Sequence, residues 1–479
     1  MRTQQEVIRW SHAVALFLIG LLARLPGFAL HPFDQDEIYT IWEARDLFGT
    51  SLEPGIEARP LYYLLQHPLL EVLPQTEVGL RLLPLFFGLA GILAVWWTAS
   101  KLAGPAGGLI SGTLVAFAPW HLHASTMARY WSLIFLLSTL TFYFLVRACT
   151  ASDGARSRWY ILTTVTALLG AVTHPTFLFP FFGAGAGLLV AGRFRSFELS
   201  LPSRELSLKV AAPVCGVLLA GLALLALTGR EEAVRNFEGR GILATLRLLP
   251  AIVEWLTPLI FVAGLAAAVA LTSKRFNPSI RVSGIIGLGG IIGTLVGLWT
   301  VSFVTDTYAA YAIAMVPMVL VSLGVAGAKL ATLTKIPSHQ CWLTAGLVTV
   351  LVAGTAPSWV SQLTDGNRFD YRPAFEYVED HAPSDPVLVW PIATQRHYAP
   401  SLESVEFQAD LEQLQQMSDR DQQFWVIASR RRYGIVGDDT GEVVSWLFRR
   451  CEFIRAYQRP RFDYRQYSVQ LFQCPRGLQ

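Results

Sequence analysis

The sequence is short of charge. Only 15% of its 479 residues are Asp, Glu, Lys or Arg, against roughly 25% in average soluble domains. The 38 basic and 35 acidic residues leave a net charge of +3, so no electrostatic argument favours a nucleic-acid partner. There is no internal repeat, no low-complexity tract and no glycine-rich phosphate loop in the C-terminal part. No Asn-x-Ser/Thr acceptor occurs, because Asn277 is followed by Pro278. His121 and His123 lack the spacing and companions of a zinc site. The five cysteines give only a weak redox clue. Cys451 and Cys474 both fall in the C-terminal part, either as a disulfide or as two free buried thiols.

Apolar sequence fills the space that charge vacates. Hydrophobic residues make up 53% of the chain and gather into runs of about 17–25 residues, the length that crosses a hydrocarbon core. Eleven spans are expected, at about 11–30, 80–100, 104–119, 131–149, 159–173, 176–192, 210–228, 248–272, 284–304, 310–333 and 342–360. The first has no small-x-small cleavage site after it and reads as a retained anchor. Lys and Arg crowd alternate loops (Lys101, Arg147, Arg156, Arg158, Lys274, Arg275, Lys329), which puts the N-terminus in the cytoplasm. An odd span count then puts the C-terminus outside. The expected architecture is a mainly α polytopic membrane domain, 1–360, followed by a small extracytoplasmic α/β domain, 361–479. In that domain 386–390, 424–428 and 467–472 read as strands, and 374–381 and 441–457 as helices.

The loop 31–78 is long enough to suggest a task. It opens His31-Pro32-Phe33-Asp34-Gln35-Asp36-Glu37. Asp34 is a good N-cap, and Glu37 three residues later completes a capping-box pattern. Ile38, Ile41, Trp42 and Phe48 follow at helical spacing, as in an amphipathic helix at the interface. A second helix is expected from Arg59-Pro60, interrupted at His67-Pro68, with Tyr62 and Tyr63 in the headgroup layer. Capping accounts for Asp34 and Glu37 but not for Asp36. A carboxylate at membrane depth without a structural duty is a functional candidate. Asp34 and Asp36 also form a D-x-D that can hold a divalent cation, although two acids are a weak metal signal.

Outward-facing arginines run against the positive-inside trend. Arg59, Arg81 and Arg129 lie on that side, as do Arg230, Arg235, Arg240 and Arg247. They either pair with local acids such as Glu231, Glu232 and Glu238, or bind phosphate. His174, next to Pro175, either satisfies helix ends or meets substrate. Asp306 and Tyr308 lie in a later outer loop as further contact candidates. One exposed acid and nearby cations match the needs of sugar transfer from a lipid phosphate. The leaving phosphate is already a stable anion. The reaction therefore needs one base for the acceptor and cations for the developing charge.

These segments together resemble the C-type (GT-C) glycosyltransferases of the protein O-mannosyltransferase and aminoarabinose-transferase kind. The resemblance rests on Asp36-Glu37, Arg59-Pro60-Leu61-Tyr62-Tyr63, Glu77 to Pro84, Ala118-Pro119 through Arg129-Tyr130, and Thr173-His174-Pro175. It spans roughly the first 190 residues in order. It implies a polyprenyl-phosphate-linked sugar donor, an acceptor lipid, glycan or protein, and inversion at the sugar carbon. It implies Asp36 as general base and Glu37 as its orienting neighbour. Arg59, Tyr62, Tyr63, Arg81, Arg129, Tyr130 and His174 would contact substrate, and no metal or other cofactor would be needed. Two departures stand out. No further acid lies in Trp120–Tyr130, and Ala310-Tyr311 stands where an Arg-Tyr pair is common. The competing readings are a transporter or flippase without chemistry, against which Glu254 is the only acid well inside a span, and a non-catalytic envelope assembly protein.

Overall fold

The computed structural model describes residues 2–47, 60–193, 246–303, 307–334, 336–364, 368–420, 422–431, 434–438, 440–458 and 468–475. Phe48, Arg59, the expected span 210–228 with Cys215, Arg230 to Arg240 and Asp306 lie outside them.

The chain begins with α1 (Arg2–Ala29), followed by two shorter helices, α2 (Gln35–Arg45) and α3 (Pro60–Val72). Next come α4 (Glu77–Ala103), α5 (Pro105–Phe117), the short α6 (Pro119–Ser125) and α7 (Trp131–Thr150). Then follow α8 (Asp153–Thr173), a 3-10 turn at Pro175–Phe177 and α9 (Leu178–Arg193). Beyond residue 245 lie α10 (Leu246–Trp255), α11 (Pro258–Leu271) and α12 (Pro278–Val301). The series ends with α13 (Val316–Ala331), entered through a 3-10 turn, α14 (Pro337–Ala353) and α15 (Ala356–Thr364). Proline at the first turn starts α5, α6, α11, α12 and α14, where its missing N–H costs nothing.

Among the described residues six helices are long and apolar enough to cross a membrane, or up to eight if each bent pair is one span. That is fewer than the eleven expected. The thirteen residues of α5 extend only about 20 Å, short of the hydrocarbon thickness. The start of α8 carries Asp153, Arg156 and Arg158. Where α9 meets α12 the packing depends on glycine. A Cβ on Gly183 would lie 2.1 Å from the carbonyl oxygen of Gly289 and 2.6 Å from the Cα of Gly293, so only glycine lets these backbones touch.

The C-terminal part is a mixed sheet with flanking helices. Its strands are β1 (Val387–Val389), β2 (Ser404–Glu406), β3 (Phe424–Arg431), β4 (Gly434–Ile435), β5 (Glu452–Gln458) and β6 (Ser468–Cys474). The order is β2-β1-β3-β6-β5, with β4 on β3. The strands β1, β2 and β3 run parallel, while β6 is antiparallel to β3 and β5. Both faces of β3 are buried. Phe424, Val426 and Ala428 enter one apolar cluster, and Trp425 and Ile427 the other, as period-two alternation requires. The helices are α16 (Arg372–His381), α17 (Ile392–Tyr398), α18 (Leu411–Ser418) and α19 (Glu442–Arg450). The expected helix 441–457 stops at Arg450. Cys451 is extended, and the chain continues as β5 along β6.

Two expectations for the segment 31–78 also change. The chain does not break at His67-Pro68, because α3 runs through Pro68 to Val72. The cost is one carbonyl, that of Leu64, without its usual donor. The amphipathic α2 turns Ile38, Ile41 and Ala44 into the protein core, each isoleucine contributing about 1.5–3 kcal/mol of burial. Lipid is therefore not what covers that face.

Cys451 and Cys474 form a disulfide that ties the start of β5 to the end of β6. Replacing both by serine is expected to destabilise this sheet by about 2–4 kcal/mol. Hydrogen exchange of the β3, β5 and β6 peptides across a denaturant series checks this, and an unchanged midpoint would show that the strands hold without the bond.

Candidate active site

The site is built from the end of α1 outward. Asp34 caps α2 by accepting from the Asp36 N–H at 3.1 Å, while Glu37 Oε2 accepts from the Asp34 N–H at 2.9 Å. The capping box read from the sequence is thus present. It does not exhaust Glu37, which is fully buried. Arg81, near the start of α4, grips it with two parallel bonds, Nε to Oε1 at 2.8 Å and Nη2 to Oε2 at 2.9 Å. The Ala128 N–H donates to Oε1 at 2.6 Å. Arg368, just ahead of α16, lies 3.5 Å from Oε2.

Burial by itself would raise the Glu37 carboxyl. The Arg368 and Arg81 guanidiniums, with hydrogen bonds from Arg81 and the Asp34 N–H, outweigh it and hold the group at about 2. Asp34 moves the other way. Burial first, then the neighbouring Asp36 charge, push its carboxyl up to about 6.

Arg81 is spent inside this scaffold. It is fully buried and also donates to the carbonyls of His31 at 2.7 Å and Pro32 at 2.8 Å. Arg368 reaches the carbonyls of Pro32 at 3.3 Å and Thr126 at 3.0 Å. Arg24, inside α1, reaches α6, with Nη2 2.6 Å from His121 Nδ1.

Asp36 is different. Its side chain is 53% exposed, and Oδ2 lies 3.2 Å from Nη2 of Arg129, a residue that is itself buried. Arg129 Nη1 also donates to the Asp36 carbonyl at 3.0 Å and the Thr40 hydroxyl at 3.3 Å. The guanidinium sits 5.4 Å from the Tyr130 ring centre. From there an aromatic row continues. Tyr130 stacks on His174 at 5.1 Å, and His174 stacks on Tyr311 at 5.0 Å. His174 Nδ1 lies 2.7 Å from the Thr176 hydroxyl and accepts from the Thr176 N–H at 3.3 Å, so it caps the turn after Pro175. Tyr62 and Tyr63 are fully buried within the protein rather than presented at its surface. The Tyr63 hydroxyl donates to Glu43, and the Tyr62 ring lies edge-on to Tyr130 at 6.5 Å.

Sequence reasoning brings together Asp36, Glu37, Arg81, Arg129, Tyr130 and His174. It misses Arg368 and Tyr398, whose partners are more than two hundred residues away in the chain. Among the described residues no group of three or more His, Cys, Asp or Glu side chains is placed to hold a metal. Asp34 is committed to its helix cap and Asp36 to Arg129.

The described residues, with six to eight candidate spans and an appended mixed sheet, match solved structures in fold. The chain is similar in fold to ArnT from Cupriavidus metallidurans bound to undecaprenyl phosphate, with TM-score 0.52 and 15% identity over 98% of both chains. The same protein in the apo state gives TM-score 0.53 and 14% identity. The archaeal oligosaccharyltransferase AglB from Archaeoglobus fulgidus, in complex with an inhibitory peptide and a dolichol-phosphate, gives 0.53 and 12% identity. That match covers 88% of this chain and 69% of AglB. No family model and no curated protein sequence matches the chain.

Glu37→Gln is expected to cost about 3–5 kcal/mol, because it leaves two buried guanidiniums short of their counter-charge. Because the folded-state pKa of Glu37 is depressed, its stabilisation is present above about 4.5 and lost as pH falls toward about 2. Thermal unfolding of wild type and variant from pH 7 to pH 3 measures both. Equal melting points throughout would remove Glu37 from this role.

Proposed function

We propose that the chain transfers a sugar from a polyprenyl-phosphate donor to an acceptor lipid, glycan or protein at the outer face of the plasma membrane. The observation that carries this is the contrast between adjacent acids: Glu37 is locked away with two arginines, while Asp36 stays half-exposed beside Arg129. The shared fold with a protein solved with undecaprenyl phosphate supports the donor class. The Cys451–Cys474 bridge supports an outer location for 361–479, with the N-terminus cytoplasmic.

In this reading Asp36 takes the proton from the acceptor hydroxyl or amine. The acceptor atom bonds to the anomeric carbon as the carbon–oxygen bond to phosphate breaks, and the configuration inverts. The phosphate leaves with the electron pair and meets the Arg129 guanidinium. Glu37, held at about 2, stays ionised at neutral pH and serves with Arg81 as the frame. Tyr130 and His174 line the donor side, and the reading needs no metal.

In nanodiscs supplied with a polyprenyl-phosphate sugar and acceptor, Asp36→Asn is expected to lower turnover by about 10²–10⁴-fold. Release of free polyprenyl phosphate reports it, and wild-type rates in the variant would end the base assignment. Arg129→Ala is expected to weaken donor binding at least about tenfold, the loss of a charge-assisted hydrogen bond. An unchanged donor KM would take Arg129 out of the phosphate site.

A further inference from the structure

The frame under the site is not closed by the N-terminal half alone. Arg368 donates to the Pro32 carbonyl, in the strand of chain that leads to Asp36. It donates equally to the Thr126 carbonyl, in the loop that carries Arg129. One buried guanidinium therefore bridges the two loops that supply the acid and the cation. A second contact comes from α17. The Tyr398 hydroxyl accepts from the Phe33 N–H at 2.6 Å and donates to Glu77 Oε1 at 3.0 Å. Arg372 lies 3.6 Å from the same Glu77 oxygen and 5.9 Å from the Tyr398 ring centre. His397 meets Phe33 edge-on at 5.3 Å.

The single peptide group joining Pro32 to Phe33 is thereby held at both its C=O and its N–H from the C-terminal side. Charge balance does not require this, since Arg81 already gives Glu37 a bidentate partner. What Arg368 adds is a distance constraint. It ties Pro32 to Thr126, and hence the spacing of Asp36 from Arg129.

We propose that Arg368 and Tyr398 are positioning residues, through which the C-terminal domain completes the site by setting the Asp36–Arg129 spacing. The proposal rests on the sugar-transfer reading for its consequence, not for its geometry. A misplacement of about 1 Å can cost about 10²-fold in rate.

The test uses the full-length protein in nanodiscs and two variants, Tyr398→Phe and Arg368→Lys. Lysine keeps the charge but cannot span both carbonyls. Hydrogen exchange of peptides covering 31–38 and 124–131 is expected to rise about tenfold or more, with exchange in the β3–β6 sheet unchanged. On the same samples, kcat per folded protein is expected to fall at least about tenfold while donor KM changes less than about threefold. A simple structural staple would lower the melting temperature and leave kcat per folded protein intact, and that result overturns the proposal. Unchanged exchange in both variants overturns it as well. If the wild type transfers no sugar, the reaction reading fails by itself, and the exchange data still decide whether the C-terminal domain positions the two loops.

Discussion

A buried carboxylate organises everything above it. Glu37 has no access to water, and an uncompensated charge there would cost several kcal/mol. Its compensation comes from four places in the chain: its own helix cap at Asp34, Arg81 on α4, the Ala128 N–H and Arg368. Arg81 alone reaches both oxygens, and the other three fill the remaining acceptor positions. The carboxylate is therefore fully hydrogen-bonded only when the first loop, the second span, the second loop and the C-terminal part have all arrived. Such a network adds less net stability than packed hydrocarbon would. Its contribution is registry, because a shift of any one segment leaves a charge stranded.

The same constraint divides labour between neighbours. On α2, Glu37, Ile38, Thr40 and Ile41 are buried, while Asp36 in the first turn stays half-exposed. With Ile38 and Ile41 turned into the core, Glu37 goes in and Asp36 comes out. A group held at about 2 has almost no capacity to accept a proton at neutral pH. General-base work, if it is done from this helix, falls to Asp36.

Much of this was legible because it is local. The capping box needs only Asp34 and Glu37, and the apolar runs mark their own helices. The strands around Val387–Val389 and Phe424–Arg431 announce themselves as continuous apolar stretches. Tertiary contacts decided the rest. Nothing in the sequence near Arg368 or Tyr398 points to Pro32 or Phe33. Tyr62 and Tyr63 read equally well as interfacial rings until α3 is seen packed against α2. The stretch 441–457 reads as one helix in the sequence, and its last residues belong instead to β5. Only the pairing with β6 and the Cys451–Cys474 bridge make it a strand.

In the proposed reaction the ion pair of Asp36 and Arg129 is a resting arrangement that the donor must reorganise. Arg129 is also held through Nη1 by the Asp36 carbonyl and the Thr40 hydroxyl. A phosphate competing for Nη2 therefore need not drag the side chain away. It displaces only the carboxylate, across a contact of 3.2 Å. The carboxylate so displaced is the one half-exposed group in the frame, and it is freed toward the acceptor rather than into a vacuum of partners. Donor binding would thus neutralise the cation and release the base in one exchange. It works only if the two loops keep their spacing while the pair opens, which is the constraint the buried guanidiniums beneath them supply.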